Sequence, residues 1–286
     1  MLNESCIGVN MKEKFVYSWR DVILYNLSVG AQKEELEYVW EKNLKALPTY
    51  ATIPCAGTFG FIPYHAEPKS PITTLPDTHA QGTLHMSQKL VIKKPLATEA
   101  ELEIEKVITD VYDRGADKGG VVVMDVIGRD NSGEEVFVNT MQILKGLDGG
   151  FGGKPQPKSD IVIPDSEPDI IASDSYPKNT PLLYRLTGDT FALHVDPDFA
   201  AKCGFNQPIV HGLCSLGYAC RLMIDKLFPG EPERMKSIEM QFRTPAFPED
   251  KFSVHMWNTK PGETLFRMVR DSDGKPILER GRITWE

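Results

Sequence analysis

The chain has no long apolar run. Its 286 residues contain nothing near the ~18 consecutive apolar positions that a membrane helix requires. The longest candidates, Val121–Met124 and Gly212–Cys220, stop at Asp125 and Arg221. No membrane partner is therefore expected. An excess of positive charge is missing as well. The formal net charge is −8, so the basic stripe of a nucleic-acid surface is not expected, although a few local cations could still hold an anionic small ligand. The five cysteines are odd in number and show no CxxC or zinc-like spacing. Cys203, Cys214 and Cys220 lie among apolar residues, which predicts reduced core thiols and a reducing compartment. No GxSxG elbow marks a serine nucleophile, and no paired-histidine helix marks a metal. Neither a metal nor a cofactor is expected.

The ends are uninformative in the same way. Asn3, Glu4 and Lys12-Glu-Lys14 do not make a signal-peptide pattern, and Ile283-Thr-Trp-Glu286 is not a peroxisomal or ER-retrieval tripeptide. Glycine-rich Gly149-Gly-Phe-Gly-Gly-Lys154 looks like a phosphate loop but lacks GxxxxGK[ST] spacing. It reads as a turn leaving a strand.

What is present is a repeated strand pattern. Gly120–Ile127 and Glu135–Leu144 flank the turn Arg129–Gly133, and Thr264–Val269 and Pro276–Trp285 flank Asp271–Gly274. Leu90–Ile92, Leu102–Tyr112 and Phe252–Trp257 add further strands. Two copies of one antiparallel unit are predicted, 1–155 and 178–286, joined by a Pro/Asp/Ser-rich linker over 156–177. Helical spacing covers Trp19–Val29 and continues through Gln32–Leu47. Asp196, Pro197 and Gly204 bracket a short helix as N-cap, first residue and C′ residue.

The informative segment is Leu183–His194 followed by Pro208–Cys214. From Gly212 onward, nine residues carry no charge, which predicts a helix buried inside an antiparallel sheet. Its first N–H groups have no intrahelical partner, and the helix dipole makes them an oxyanion donor. Just upstream stand Asp189 and His194, an acid–base pair. On residues alone, Gly188-Asp189 can equally be a simple turn, His194 a core histidine, and His211 a residue satisfied by backbone.

Tyr184–Ala200 together with Gly204–Cys214 resembles the MaoC-like hydratases, specifically the 2-enoyl-CoA hydratase 2 units of peroxisomal multifunctional enzymes. Tyr25–Ala31, Leu47–Thr49, Leu84–Gln88, Lys94–Leu96 and Gly149–Lys154 are also similar to that family. The resemblance implies an α+β double hot-dog fold, the second unit wrapping a central helix, and hydration of trans-2-enoyl-CoA to (3R)-3-hydroxyacyl-CoA in β-oxidation. It implies Asp189 and His194 as the acid–base pair and Gly212 as donor to the thioester carbonyl. The first half becomes an incomplete hot-dog that accommodates acyl tails. A homodimer with an acyl-CoA substrate is implied, in the peroxisome by resemblance and otherwise in the cytoplasm.

The chain departs from the family at defined places. Gly188-Asp-Thr-Phe-Ala-Leu-His194 replaces Gly-Asp-x-Asn-Pro-x-His, so Phe191 stands where an asparagine positions the water or the catalytic groups. Leu84-His-Met-Ser-Gln88 lacks the usual Gly-Glu, and Gln241 occupies a common arginine position. A non-catalytic acyl-CoA binding module, a 3-hydroxyacyl-thioester dehydratase and a thioesterase therefore stand as alternatives. His194 is the candidate base, with the reverse assignment open.

Overall fold

The computed structural model describes residues 2–56, 71–75, 78–79 and 82–286. Among the described residues ten strands run along the chain: β1 (Asn10–Tyr17), β2 (Thr83–Ile92), β3 (Ala100–Asp113), β4 (Gly120–Arg129), β5 (Glu135–Lys145), β6 (Ile170–Ser175), β7 (Met235–Phe242), β8 (Lys251–Lys260), β9 (Glu263–Arg270) and β10 (Pro276–Trp285). Their order in space is β1-β3-β4-β5-β2-β7-β10-β9-β8-β6. Read from its outer edge, the second half runs β6-β8-β9-β10-β7, the first half's order with five added to each number. The predicted duplication is thus an identity of topology. The two units meet edge to edge, Ser87–Val91 against Ser237–Gln241, so the sheets of a double hot-dog form one continuous antiparallel sheet.

Three strands escape a reading of the sequence, each for a local reason. β1 is an edge strand of alternating Lys and Glu, held to β3 partly by Lys12–Glu103 at 2.9 Å and by a Lys14–Glu101 pair. Charge on an edge strand protects it from further pairing and hides its strand character in a hydrophobic count. β6 lies within the expected 156–177 linker, where it pairs with β8 through Ile170–Met256 and its neighbours. The Pro/Asp-rich composition masks it. β7 escapes because Lys236, Ser237, Glu239 and Gln241 interrupt its apolar residues, although both of its edges are paired inside the sheet.

The helices are α1 (Trp19–Ser28), α2 (Leu36–Val39), α3 (Thr180–Tyr184), α4 (Pro197–Lys202) and α5 (Gly212–Leu227). α1 starts where Asp21 accepts from Ser18 N–H at 2.9 Å. α4 carries its cap at Asp196, which accepts from Asp198 and Phe199 N–H. The expected helix over Gln32–Leu47 shrinks to the single turn of α2. Asn26, fully buried on α1, donates to both Tyr38 O and Lys45 O, and those tertiary bonds replace helical ones.

α5 is the core of the second unit, with Cys214–Ile224 all buried. Its small residues serve a helix as well as the sheet: a Cβ on Gly217 would fall 2.4 Å from Val29 Cγ1, just past the end of α1. Arg221, 5% exposed, donates to Val29 O and pairs with Glu35 and Asp174, tying α5 to both units. Cys214 and Cys220 are core thiols as expected, whereas Cys203 is exposed. It closes α4 as C-cap, so its apolar neighbours are helix-end residues and no core lies beneath it.

In the first unit the 3₁₀ segment Pro48–Cys55 occupies the interior, every residue of it buried. The glycine-rich Gly149–Lys154 segment is a loop, and its nest of N–H groups is already filled. Asp113 accepts from Gly150 at 2.8 Å and Gly152 at 2.6 Å, which holds its carboxyl below the usual carboxylate range.

Candidate active site

The candidate residues converge where the 184–194 segment folds over the start of α5. Gly188 has φ +148°, a backbone state that favours glycine, and a Cβ there would meet Ile53 Cγ2 at 3.3 Å. This glycine lets the chain turn tightly under the 3₁₀ segment of the other unit, and it delivers Asp189. The Asp189 carboxylate is fixed by Phe191 N–H, which donates to Oδ1 at 3.2 Å. His194 closes a one-turn 3₁₀ helix, Ala192–His194, and is 8% exposed.

His194 Nδ1 lies 2.9 Å from Ile209 O. A backbone carbonyl can only accept, so Nδ1 carries a hydrogen and the neutral ring keeps its lone pair on Nε2. Burial holds the imidazole below its ordinary value, although the Asp189 carboxylate pulls it up. The result is a neutral base with a fixed tautomer. Phe191 sits edge-on to this ring at 6.0 Å and to Phe199 at 5.3 Å, forming an apolar wall where the family's asparagine would stand.

Gly212 is the first residue of α5, and among the described residues its N–H has no acceptor. Although it opens a buried helix, Gly212 itself is exposed, so the amide is reachable. A Cβ there would lie 2.7 Å from Cε1 of Phe242 on β7, which makes glycine obligatory for this packing. Phe242 in turn packs on His85 of β2 at 4.6 Å. Burial pushes His85 down to about 4, so the floor contributed by the β2–β7 junction is neutral near pH 7.

His211, the N-cap of α5, has one ring nitrogen satisfied by backbone, so the plainest expectation for it holds in half: Nε2 donates to Asp189 O at 3.0 Å, and the buried Nδ1 has no partner among the described residues. Its surroundings are less plain, because the ring also stacks on His194 with centroids 3.6 Å apart. Nitrogen or oxygen atoms of Asp189, His194 and His211 all lie within 4.8 Å of one another. That is a donor set of the kind a transition metal uses. The stacking is unfavourable for one, however: the rings are 25° from parallel, so an ion in the plane of one ring lies well out of the plane of the other. The arrangement suits proton transfer better than ligation.

Comparison with known proteins places this geometry. Residues 15–145 match the MFE-2 hydratase 2 N-terminal domain and residues 162–275 the MaoC-like domain. A relative named 3-hydroxyacyl-thioester dehydratase Y, from Mycobacterium tuberculosis, is 32% identical over 99% of this chain and 98% of its own length. The chain belongs to the MaoC-like hydratase 2 family. Mouse peroxisomal multifunctional enzyme type 2 is 34% identical over 84% of this chain, which spans only 33% of that longer protein. Further relatives carry the name enoyl-CoA hydratase 2. The crystal structure of a MaoC-like dehydratase from Phytophthora capsici superposes with a TM-score of 0.86 at 27% identity, covering 100% of this chain and 99% of that one. Hydratase or dehydratase chemistry is thus the activity of the family, and the hot-dog fold is shared. Among the described residues no helix is long and apolar enough to cross a membrane.

Proposed function

We propose that this MaoC-like hydratase adds water to a trans-2-enoyl-CoA to give the (3R)-3-hydroxyacyl-CoA. The observation that carries the reading is the His194 tautomer. With Nδ1–H committed to Ile209 O, the Nε2 lone pair is left to take a proton from water, beside the Asp189 carboxyl and near a free helix-start amide. The thioester carbonyl accepts a hydrogen bond from Gly212 N–H, and electron density leaves C3. His194 Nε2 removes a proton from water as its oxygen bonds to C3, and the His194–Asp189 pair returns a proton to C2. Both groups approach from one side, which gives syn addition. Run backwards, the same steps dehydrate a 3-hydroxyacyl thioester, the reaction named for the M. tuberculosis relative.

Phe191 motivates the rival reading, a non-catalytic acyl-CoA binding module. Its backbone speaks for the enzyme. The N–H of Phe191 still holds the Asp189 carboxylate, so loss of the asparagine side chain leaves the acid–base pair in position. The division of labour we propose places catalysis in 178–286 and the acyl tail against 1–155, whose Ile53 and Ala56 approach Gly188. A peroxisomal setting fits the relatives' names, and a homodimer acting in β-oxidation belongs to the same proposal.

The test is incubation with crotonyl-CoA and with a long-chain trans-2-enoyl-CoA, followed by chiral analysis. The reading expects the 3R alcohol and loss of the conjugated chromophore. Tight binding without hydration would establish the binding module, and free CoA would establish a thioesterase. Repeating the assay with the enoyl group on acyl-carrier protein separates the two carriers.

A further inference from the structure

The acid–base pair and the helix-start amide come from separate segments, and one residue joins them. His211 precedes Gly212 directly, and its own carbonyl accepts from Ser215 N–H at 3.1 Å, so its backbone is fixed to the first turn of α5. Its ring reaches back 22 residues to Asp189 O. One face lies on the His194 ring, and Tyr184 packs against the imidazole at 4.8 Å. The residue is 1% exposed. We propose that His211 is a positioning residue for the reaction: a neutral aromatic plate that holds the Asp189 backbone, orients His194, and supports the imidazolium formed there during turnover. The proposal rests on the acid–base reading of Asp189 and His194 given above.

The chemistry follows from the hydrogen bonds. Asp189 O can only accept, so His211 Nε2 bears the hydrogen. Its Nδ1, buried and without a partner among the described residues, is a lone pair in the neutral ring. Protonating Nδ1 would bury an unpaired donor next to His194, which disfavours the charged form. Burial and then His194 hold this imidazole well below its ordinary value, with Arg185 acting in the same direction. The groups facing the pair are therefore Asp189, Arg185 and Tyr184. When His194 takes the proton from water, a cation appears 3.6 Å from an uncharged aromatic face, a favourable cation–π arrangement. A second cation at the same place would oppose the step.

Two substitutions separate the stack from the hydrogen bond. His211→Phe keeps an aromatic face and loses the donor to Asp189 O. His211→Gln keeps an N–H donor and loses the face, which opens His194 to solvent. Each is expected to lower kcat by about 10- to 100-fold, the effect of misplacing a catalytic group, with KM changed by less than about twofold. In His211→Gln the acid limb of the kcat–pH profile moves up toward the ordinary imidazole value, whereas in His211→Phe it stays put. A purely structural residue would alter the melting temperature without this crossed pattern. Both variants keeping wild-type kcat with an unmoved acid limb would overturn the inference. Imidazole nitrogen NMR of the unaltered protein near neutral pH decides independently of folding or activity: hydrogen is expected on His194 Nδ1 and on His211 Nε2. The opposite tautomer at either ring would also overturn it. If the unaltered protein hydrates no enoyl thioester, the functional reading fails, while the tautomers remain measurable.

Discussion

The two units share one strand order but fill it differently. In the second, the sheet wraps α5, a helix of 16 residues, and Asp189 and His194 gather at its N-cap residue, His211. In the first, the corresponding space holds the 3₁₀ segment Pro48–Cys55, anchored by buried side chains of the sheet. Asn139 of β5 donates to Ala51 O at 2.8 Å and accepts from Gln88 of β2 at 2.6 Å, both side chains fully buried. Pro54 has no N–H to give Ala51 O three residues earlier, so the sheet supplies that donor. Duplication thus preserved the topology, while one copy holds a helix with an unpaired first amide among the described residues and the other a 3₁₀ segment.

The largest effect is expected at the proposed acid–base pair. Asp189→Asn or His194→Gln should each lower hydration by about 10²–10⁴-fold with little change in melting temperature. Near-normal turnover in both would remove chemistry from the second unit. Gly212→Ala comes next. Its Cβ must push the Phe242 ring or the start of α5, and kcat is expected to fall about 10- to 100-fold. If enlarging the pocket by the double change Gly212→Ala with Phe242→Leu restores the rate, the clash is the cause.

The first unit should answer in stability rather than rate. Asn139→Ala strands Ala51 O, leaves Gln88 Nε2 with only the Cys55 sulfur, and should cost about 2–3 kcal/mol by urea unfolding, with kcat of the folded fraction unchanged. A comparable loss of kcat would mean the wall also positions the chemistry. Acidification should weaken both units through their buried histidines. His85, His194 and His211 bind protons less readily folded than unfolded, so the unfolded chain takes up more protons as pH falls below about 6.5, and stability falls with it. For His85 the loss is complete near pH 4. Stability flat from pH 7 to 5 would contradict the neutral floor. The smallest effect is expected from Phe191→Asn, which restores a polar group for water. A rise in kcat of up to about tenfold, below the ~10² of a full oxyanion donor, would show that the apolar wall limits the rate.

Much of the fold is legible in the residues themselves. The first residue of α5, the α4 brackets Asp196 and Gly204, and the strands β4, β5, β9 and β10 all follow from local patterns of charge, capping and β-branching. The segment after α1 does not, because Asn26 competes for its carbonyls from a distance. β6 is hidden by a composition that usually means linker, and exposed Cys203 by neighbours that belong to a helix end. Among site residues, His211 is visible in the sequence but its role is not. No spacing rule signals a ring stack between positions 194 and 211.

The sequence by itself determined the repeated antiparallel unit, the uncharged helix beginning at Gly212, and the set of groups able to move protons, since these depend on local propensity and residue chemistry. Tertiary structure decided which nitrogen of each histidine carries hydrogen, that the sheets fuse through β2 and β7, and that the first unit has a 3₁₀ segment in place of a central helix. Those outcomes depend on carbonyls and strand edges far apart in the chain, and only packing brings them within bonding distance.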